Sequence, residues 1–133
     1  MTIGKIVKDH EELKKIIIKH KSQGERVVFT NGCFNILHVG HIRSFQNAKD
    51  LGDILVVAVN DDTSVRLLKG DNYPVIPDDE RMEILSAITY IDYLTFFSGH
   101  TVDDLLLALQ PDIHAKGTDY SVNTVPERET VLS

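Results

Sequence analysis

Apolar and polar positions change their period several times along the chain, and each change marks an element. Asp9 is placed to cap a lead-in helix over about residues 9–22, with Glu11 and Glu12 in its first turn, Leu13, Ile16, Ile17 and Ile18 as its apolar content, and Gly24 beyond its end. Arg26-Val27-Val28-Phe29-Thr30 has the β-branched and aromatic content of a buried strand, and the Asn31-Gly32 pair is expected to break it. Ile42, Phe45 and Ala48 then recur every three residues, with polar Arg43, Asn47 and Lys49 on other faces and Gly52 as the stop, which predicts an amphipathic helix. Ile54-Leu55-Val56-Val57-Ala58-Val59 is a continuous apolar run of the kind buried on both faces, closed by Asn60-Asp61-Asp62. A short helical pattern ends at Lys69-Gly70, and a proline-punctuated loop covers residues 71–77. Asp78-Asp79-Glu80-Arg81 opens a helix carrying Met82, Leu85 and Ile88 on one stripe, followed by a strand at Tyr93–Phe97. A helix from about Thr101 to Leu109 is broken by Pro111, Ile113-His114-Ala115-Lys116 reads as one more strand, and residues 117–120 form the loop at its exit.

Strand and helix alternate throughout. Such alternation implies right-handed crossovers and an α/β fold with a parallel sheet covered by helices on both faces, and it directs ligands to the carboxyl ends of the strands. Three polar loops fall at those ends: residues 31–41, 60–70 and 117–120. A chain of 133 residues supports one compact core, and the even spread of apolar runs leaves no seam, so residues 1–133 are expected to form a single domain.

Charge and cysteine content narrow the partners. A net charge of −6 argues against a general nucleic-acid or anionic-membrane surface, while local dipoles and a few cations still allow a small anionic ligand. No segment approaches a membrane span or a signal peptide's apolar core. The single cysteine, Cys33, forms no intramolecular disulfide and has no thiolate-activating or zinc-binding neighbours in sequence, so a packing or backbone role and a cytoplasmic protein are expected. The glycine fingerprints of dinucleotide oxidoreductases and P-loop proteins are absent from the sequence.

The chemistry concentrates in His38-Val39-Gly40-His41, between the first long strand and an amphipathic helix. Unpaired N–H groups and the helix dipole favour an anion there, so both imidazoles could flank one phosphate; solvated or capping histidines are the competing reading. Asp61, Asp62, Asp78, Asp79 and Glu80 could suggest a metal cage, but acidic residues at helix starts are common and capping is favoured, so no metal site is assigned to the protein itself.

Thr30-Asn31-Gly32-Cys33-Phe34-Asn35-Ile36-Leu37-His38-Val39-Gly40-His41 resembles the signature of the cytidylyltransferase-like nucleotidylyltransferases. Gly52-Asp53, Val56–Asn60, Arg66–Gly70, Asp79-Glu80-Arg81, Ile91-Asp92-Tyr93 and Lys116-Gly117-Thr118-Asp119-Tyr120 follow in family order, so the resemblance covers nearly the whole chain. In detail it looks most like the adenylyltransferase domains that make ADP-heptose from heptose 1-phosphate and ATP. The resemblance implies a Rossmann-like nucleotidylyltransferase fold and transfer of a nucleoside monophosphate to a phosphorylated acceptor with release of pyrophosphate. Mg²⁺ is implied as a companion of the triphosphate, and a homodimer as the family's frequent state.

By the same resemblance His38 and His41 stabilise developing charge, Lys69 closes over phosphates, and the amides at Cys33 and Phe34 cradle an oxygen, with Gly40 between the histidines. Arg81 is implied in nucleotide phosphate contact, with an i, i+4 ion pair on a helix face as its alternative. Lys116, Gly117 and Asp119 are implied near the base and ribose, with a turn carboxylate as the alternative for Asp119. Asn35, Asp62 and Lys69 are implied at the acceptor. Asn35 stands where the family usually has aspartate, and a late Ser/Thr-rich motif would fall beyond Ser133, so a chain ending there is expected to bind nucleotide and turn over less well. Two other functions stay open: a CTP-dependent transferase acting on glycerol 3-phosphate or a similar phosphorylated alcohol, and a non-catalytic nucleotide-binding module.

Overall fold

The computed structural model describes residues 5–34, 36–70, 76–98 and 102–115. Five parallel strands, β1 (Lys5–Ile6), β2 (Val27–Gly32), β3 (Ile54–Asn60), β4 (Tyr93–Phe97) and β5 (Ile113–His114), form one sheet in the order β1-β4-β3-β2-β5. The helices are α1 (His10–Ser22), α2 (Val39–Asp50), α3 (Asp62–Lys69), α4 (Asp78–Ser86) and α5 (Asp103–Leu109). This is the expected α/β architecture.

The side-chain period of the central strands sorts the core into two layers. Val27 and Phe29 of β2 and Val56 and Ala58 of β3 join Leu13 and Ile17 of α1 and Leu106 and Leu109 of α5 on one face. Val28, Leu55, Val57 and Val59 join Phe45 and Ala48 of α2 and Met82 and Leu85 of α4 on the other. All seven residues of β3 are buried, which is why its sequence is continuously apolar instead of alternating. At the amino ends of the strands, Asp92 accepts from the Leu55 N–H and pairs with Lys49. Nearby, a Cβ on Gly52 would lie 2.8 Å from the Arg26 carbonyl oxygen, so the turn after α2 requires glycine for close backbone approach.

Four local expectations are corrected. Asn31-Gly32 does not end β2; both residues stay in the strand because they pair in register with Ala58 and Val59. Strand β1 was not expected and exists by pairing with Tyr93 and Leu94 of β4. Helix α4 stops at Ser86, so Ile88 reaches the core from beyond the helix, not from its stripe. Helix α5 begins at Asp103, later than expected, with Val102 as its N-cap. Among the described residues no helix is long and apolar enough to cross a membrane.

Candidate active site

The carboxyl end of β2 delivers Cys33 and Phe34 to the space in front of α2. Phe34 has φ +48°, a left-handed conformation uncommon for an aromatic residue, and its ring lies 5.4 Å from Phe45 and 5.9 Å from His41 between centroids. Gly32 accommodates this turn, since a Cβ there would sit 3.0 Å from Cζ of Phe34.

His38 is the N-cap of α2 and His41 lies in its first turn. The Gly40 N–H donates to Nδ1 of His38 at 3.0 Å, and the His38 N–H donates to Nδ1 of His41 at 3.1 Å. Both histidines therefore cap the helix, which satisfies donors that a helix start otherwise leaves orphaned. The capping and phosphate readings are compatible, because a neutral ring that accepts at Nδ1 carries its proton on Nε2. Each imidazole thus retains an Nε2–H donor, and the two rings lie 4.2 Å apart between centroids.

Burial, and secondarily the neighbouring His38, holds His41 below the ordinary histidine value of 6.5. The unfolded chain then binds more protons than the native one as pH falls through this range, so this contribution to stability is present above the unfolded value and lost through the lower folded value. Urea unfolding at about pH 7.5 and about pH 5 is expected to show a larger loss of stability in the wild type than in His41→Asn. Equal losses would refute a titrating His41.

Gly40 belongs to the same arrangement. A Cβ there would lie 2.7 Å from Cε1 and 2.9 Å from Nδ1 of His38, so Gly40→Ala displaces the ring and breaks its cap. The variant is expected to fold, to lose about 1 kcal/mol from the lost cap, and to lose roughly tenfold or more in turnover because one donor moves. Denaturant melts beside steady-state rates check both parts.

Arg81 is not the i, i+4 ion-pair partner on a helix face that the sequence allowed. It is buried at 1% exposure instead of standing on an open helix face, and its guanidinium is bound by protein oxygens from three segments. Nε donates to the Ile76 carbonyl at 3.0 Å, one terminal nitrogen donates to the Cys33 carbonyl, and the other donates to Asp62 Oδ1 at 2.9 Å. Asp62, implied at the acceptor, is correspondingly engaged as the partner of Arg81, and its own N–H donates to Asp78 Oδ2 at 3.1 Å. Asp79 accepts from the Glu80 N–H, and Ser98 donates to Asp61. Helix α4 has Pro77 as its N-cap and no side-chain cap bond, so the expected acidic cap does not form there; among the described residues no three His, Cys, Asp or Glu side chains group as metal ligands.

The fold brings Cys33, Phe34, His38, Gly40, His41, Asp62 and Arg81 to the carboxyl ends of β2 and β3, and Lys69 is the last residue of α3. Asn35, Lys116, Gly117 and Asp119 lie outside the described residues. Sequence reasoning missed His114, which is buried on β5 and bonds through Nε2 to Oδ1 of Asn31 at 2.7 Å, joining β5 to the end of β2 beneath the site. The Ile113-His114 register with Val28-Phe29 creates this contact, and a lone histidine in a short apolar run gives little signal of it.

A parallel sheet with a histidine-capped helix at the carboxyl end of an inner strand is the arrangement that the sequence resemblance implies. Residues 29–132 match the cytidylyltransferase-like family model. The chain belongs to this family and is an enzyme of the nucleotidylyltransferase class. It is similar to the bifunctional protein HldE of Pelobacter propionicus, with 46% identity over 127 residues, covering 96% of this chain and 26% of that protein. It is also similar to the bifunctional protein HldE of Citrifermentans bemidjiense, with 48% identity over 125 residues, covering 94% of this chain and again 26% of the relative. The chain thus spans about a quarter of the length of the curated relatives it matches. Among solved structures, the lipopolysaccharide core biosynthesis protein from Thermoplasma volcanium GSS1 aligns with a TM-score of 0.61 and 32% identity, over 68% of this chain and 73% of that one.

Proposed function

We propose that the chain transfers AMP from ATP to a sugar 1-phosphate, D-glycero-D-manno-heptose 1-phosphate, giving ADP-heptose and pyrophosphate. The observation that carries the reading is the pair of capped imidazoles at the mouth of α2, each left with an Nε2–H donor. An acceptor phosphate oxygen bonds to the α-phosphorus, the bond to the bridging oxygen breaks, and pyrophosphate leaves with that electron pair. Negative charge spreads over the phosphoryl oxygens in the transition state, and the two donors stabilise it there. No general base is needed, because a phosphate monoester with a second pKa near about 6 already carries most of its charge at neutral pH.

The amides around Cys33 and Phe34 would cradle a phosphate oxygen, Lys69 would bring a positive charge, and Lys116, Gly117 and Asp119 would contact base and ribose. Asn35 would face the acceptor. Mg²⁺ would arrive with the triphosphate and neutralise part of its charge. The names of the relatives support the heptose choice: the curated ones are bifunctional HldE proteins, and the solved one is assigned to lipopolysaccharide core biosynthesis. A cytoplasmic location, where ATP and sugar phosphates occur, accompanies the reading.

The test is pyrophosphate release with ATP or CTP against a panel containing heptose 1-phosphate and glycerol 3-phosphate, with the product identified by mass. ATP with heptose 1-phosphate is expected to give the highest kcat/KM. Preference for CTP and glycerol 3-phosphate would replace the substrate assignment, and nucleotide binding without release from any pair would sink the catalytic one.

A further inference from the structure

The buried Arg81 is a charge in the interior, and its hydrogen bonds place it between segments far apart in sequence: Cys33 after β2, Asp62 at the start of α3, and Ile76 ahead of α4. Burying a guanidinium is costly unless it is hydrogen-bonded, and here each of its three nitrogens donates to a protein oxygen. The site already has donors at its open mouth, so this guanidinium must be understood by what it holds.

It holds the backbone carbonyl that precedes the left-handed Phe34. Cys33 C=O and Phe34 N–H belong to the same planar peptide, and in a trans peptide they point in opposite directions. Drawing the carbonyl inward to Arg81 turns the Phe34 N–H away from it. The next φ, +48° at Phe34, is a conformation that an aromatic residue adopts only when its surroundings impose it. Gly32 leaves room for the ring, Phe45 and His41 receive it, and Arg81 holds the peptide plane before it.

We infer that the Asp62–Arg81 pair is a positioning device: by anchoring the Cys33 carbonyl it keeps the Phe34 N–H aimed as a donor to a phosphate oxygen and keeps Phe34 packed against His41. The inference deepens the proposed nucleotidyl transfer and rests on it for the identity of the anion. Arg81 then acts without touching substrate, and Asp62 acts through Arg81. Because Asp62 begins the helix that ends at Lys69, the same pair ties the loop before α2 to α3.

Asp62→Asn tests this with little change of shape, and Arg81→Lys gives a second variant that keeps the charge but cannot hold three oxygens with one planar fork. The direct readout is the ring ¹⁵N spectrum of His38 and His41 without ligand. The His41 signals of both variants are expected to shift from those of the folded wild type, because Phe34 no longer seats the ring. In turnover, kcat is expected to fall about tenfold or more while Kd for MgATP stays within about twofold, the pattern of lost orientation. Unchanged imidazole signals, or a loss confined to MgATP affinity, would overturn the inference; the second result would make Arg81 a direct phosphate ligand. If the wild type transfers no nucleotide to any acceptor, the proposed function fails by itself, and the ring spectra still decide whether the pair positions the loop.

Discussion

Replacing either His38 or His41 with alanine is expected to lower kcat by about 10²–10³ while leaving MgATP affinity within about threefold, because each deletes a donor aimed at charge that develops only in the transition state. The two variants should differ in stability. His38→Ala removes the N-cap acceptor for the Gly40 N–H and is expected to cost about 1 kcal/mol, whereas His41→Ala releases the His38 N–H at a more exposed position. The double variant is expected to lose much less than the product of the single effects, since in the proposed transfer rings 4.2 Å apart would serve one phosphate as a unit. Single-turnover rates and equilibrium titrations separate these quantities. Parallel losses of rate and affinity would mean that the imidazoles bind the ground state as strongly as the transition state.

Their tautomer explains how the pair can do this while neutral. Imidazolium rings would have to protonate Nδ1, the atom on which each accepts a backbone hydrogen bond, and two cations with ring centroids 4.2 Å apart would repel. The helix mouth already supplies positive potential through its dipole, so neutral donors suffice. In the proposed reaction capping and catalysis would be one arrangement: the bonds that close the helix also determine which nitrogen is left to donate.

Much of this was legible in the chain because the relevant patterns are local. The continuously apolar Ile54–Val59 run announces a strand buried on both faces, and the strand, histidine pair and amphipathic stripe follow one another within a short span. What escaped depends on distant partners. Lys5–Ile6 is a strand only because Tyr93–Leu94 lies beside it, and Asn31–Gly32 remains extended only because Ala58–Val59 pairs with it, overriding a turn-forming composition. The same holds at the site. No periodicity links Cys33, Asp62, Ile76 and Arg81, yet they meet around one guanidinium, and His114 reaches Asn31 across two strands that are adjacent only in the folded sheet. The family resemblance singled out Arg81, and the fold adds partners for it that the sequence did not show.

That burial makes stability and rate separable. Asp62→Ala leaves Arg81 as an interior cation without its carboxylate and is expected to cost about 3 kcal/mol, the low end for breaking a buried pair, because Asp62 retains 28% side-chain exposure. Adding Arg81→Met removes the stranded charge and fills its space with an apolar chain, so the double variant is expected to regain at least about half of that loss, although the Cys33 and Ile76 carbonyls then lack their donor. Turnover should not recover with stability. With no guanidinium on the Cys33 carbonyl, the peptide plane before Phe34 is free to rotate, and the double variant is expected to stay about tenfold or more below the wild type in kcat. Urea unfolding and single-turnover rates on the single and double variants form the cycle. A double variant that regained stability and rate together would mean that Asp62 and Arg81 serve only to hold the fold, whereas stability restored without rate isolates the positioning of one peptide as their contribution to the chemistry.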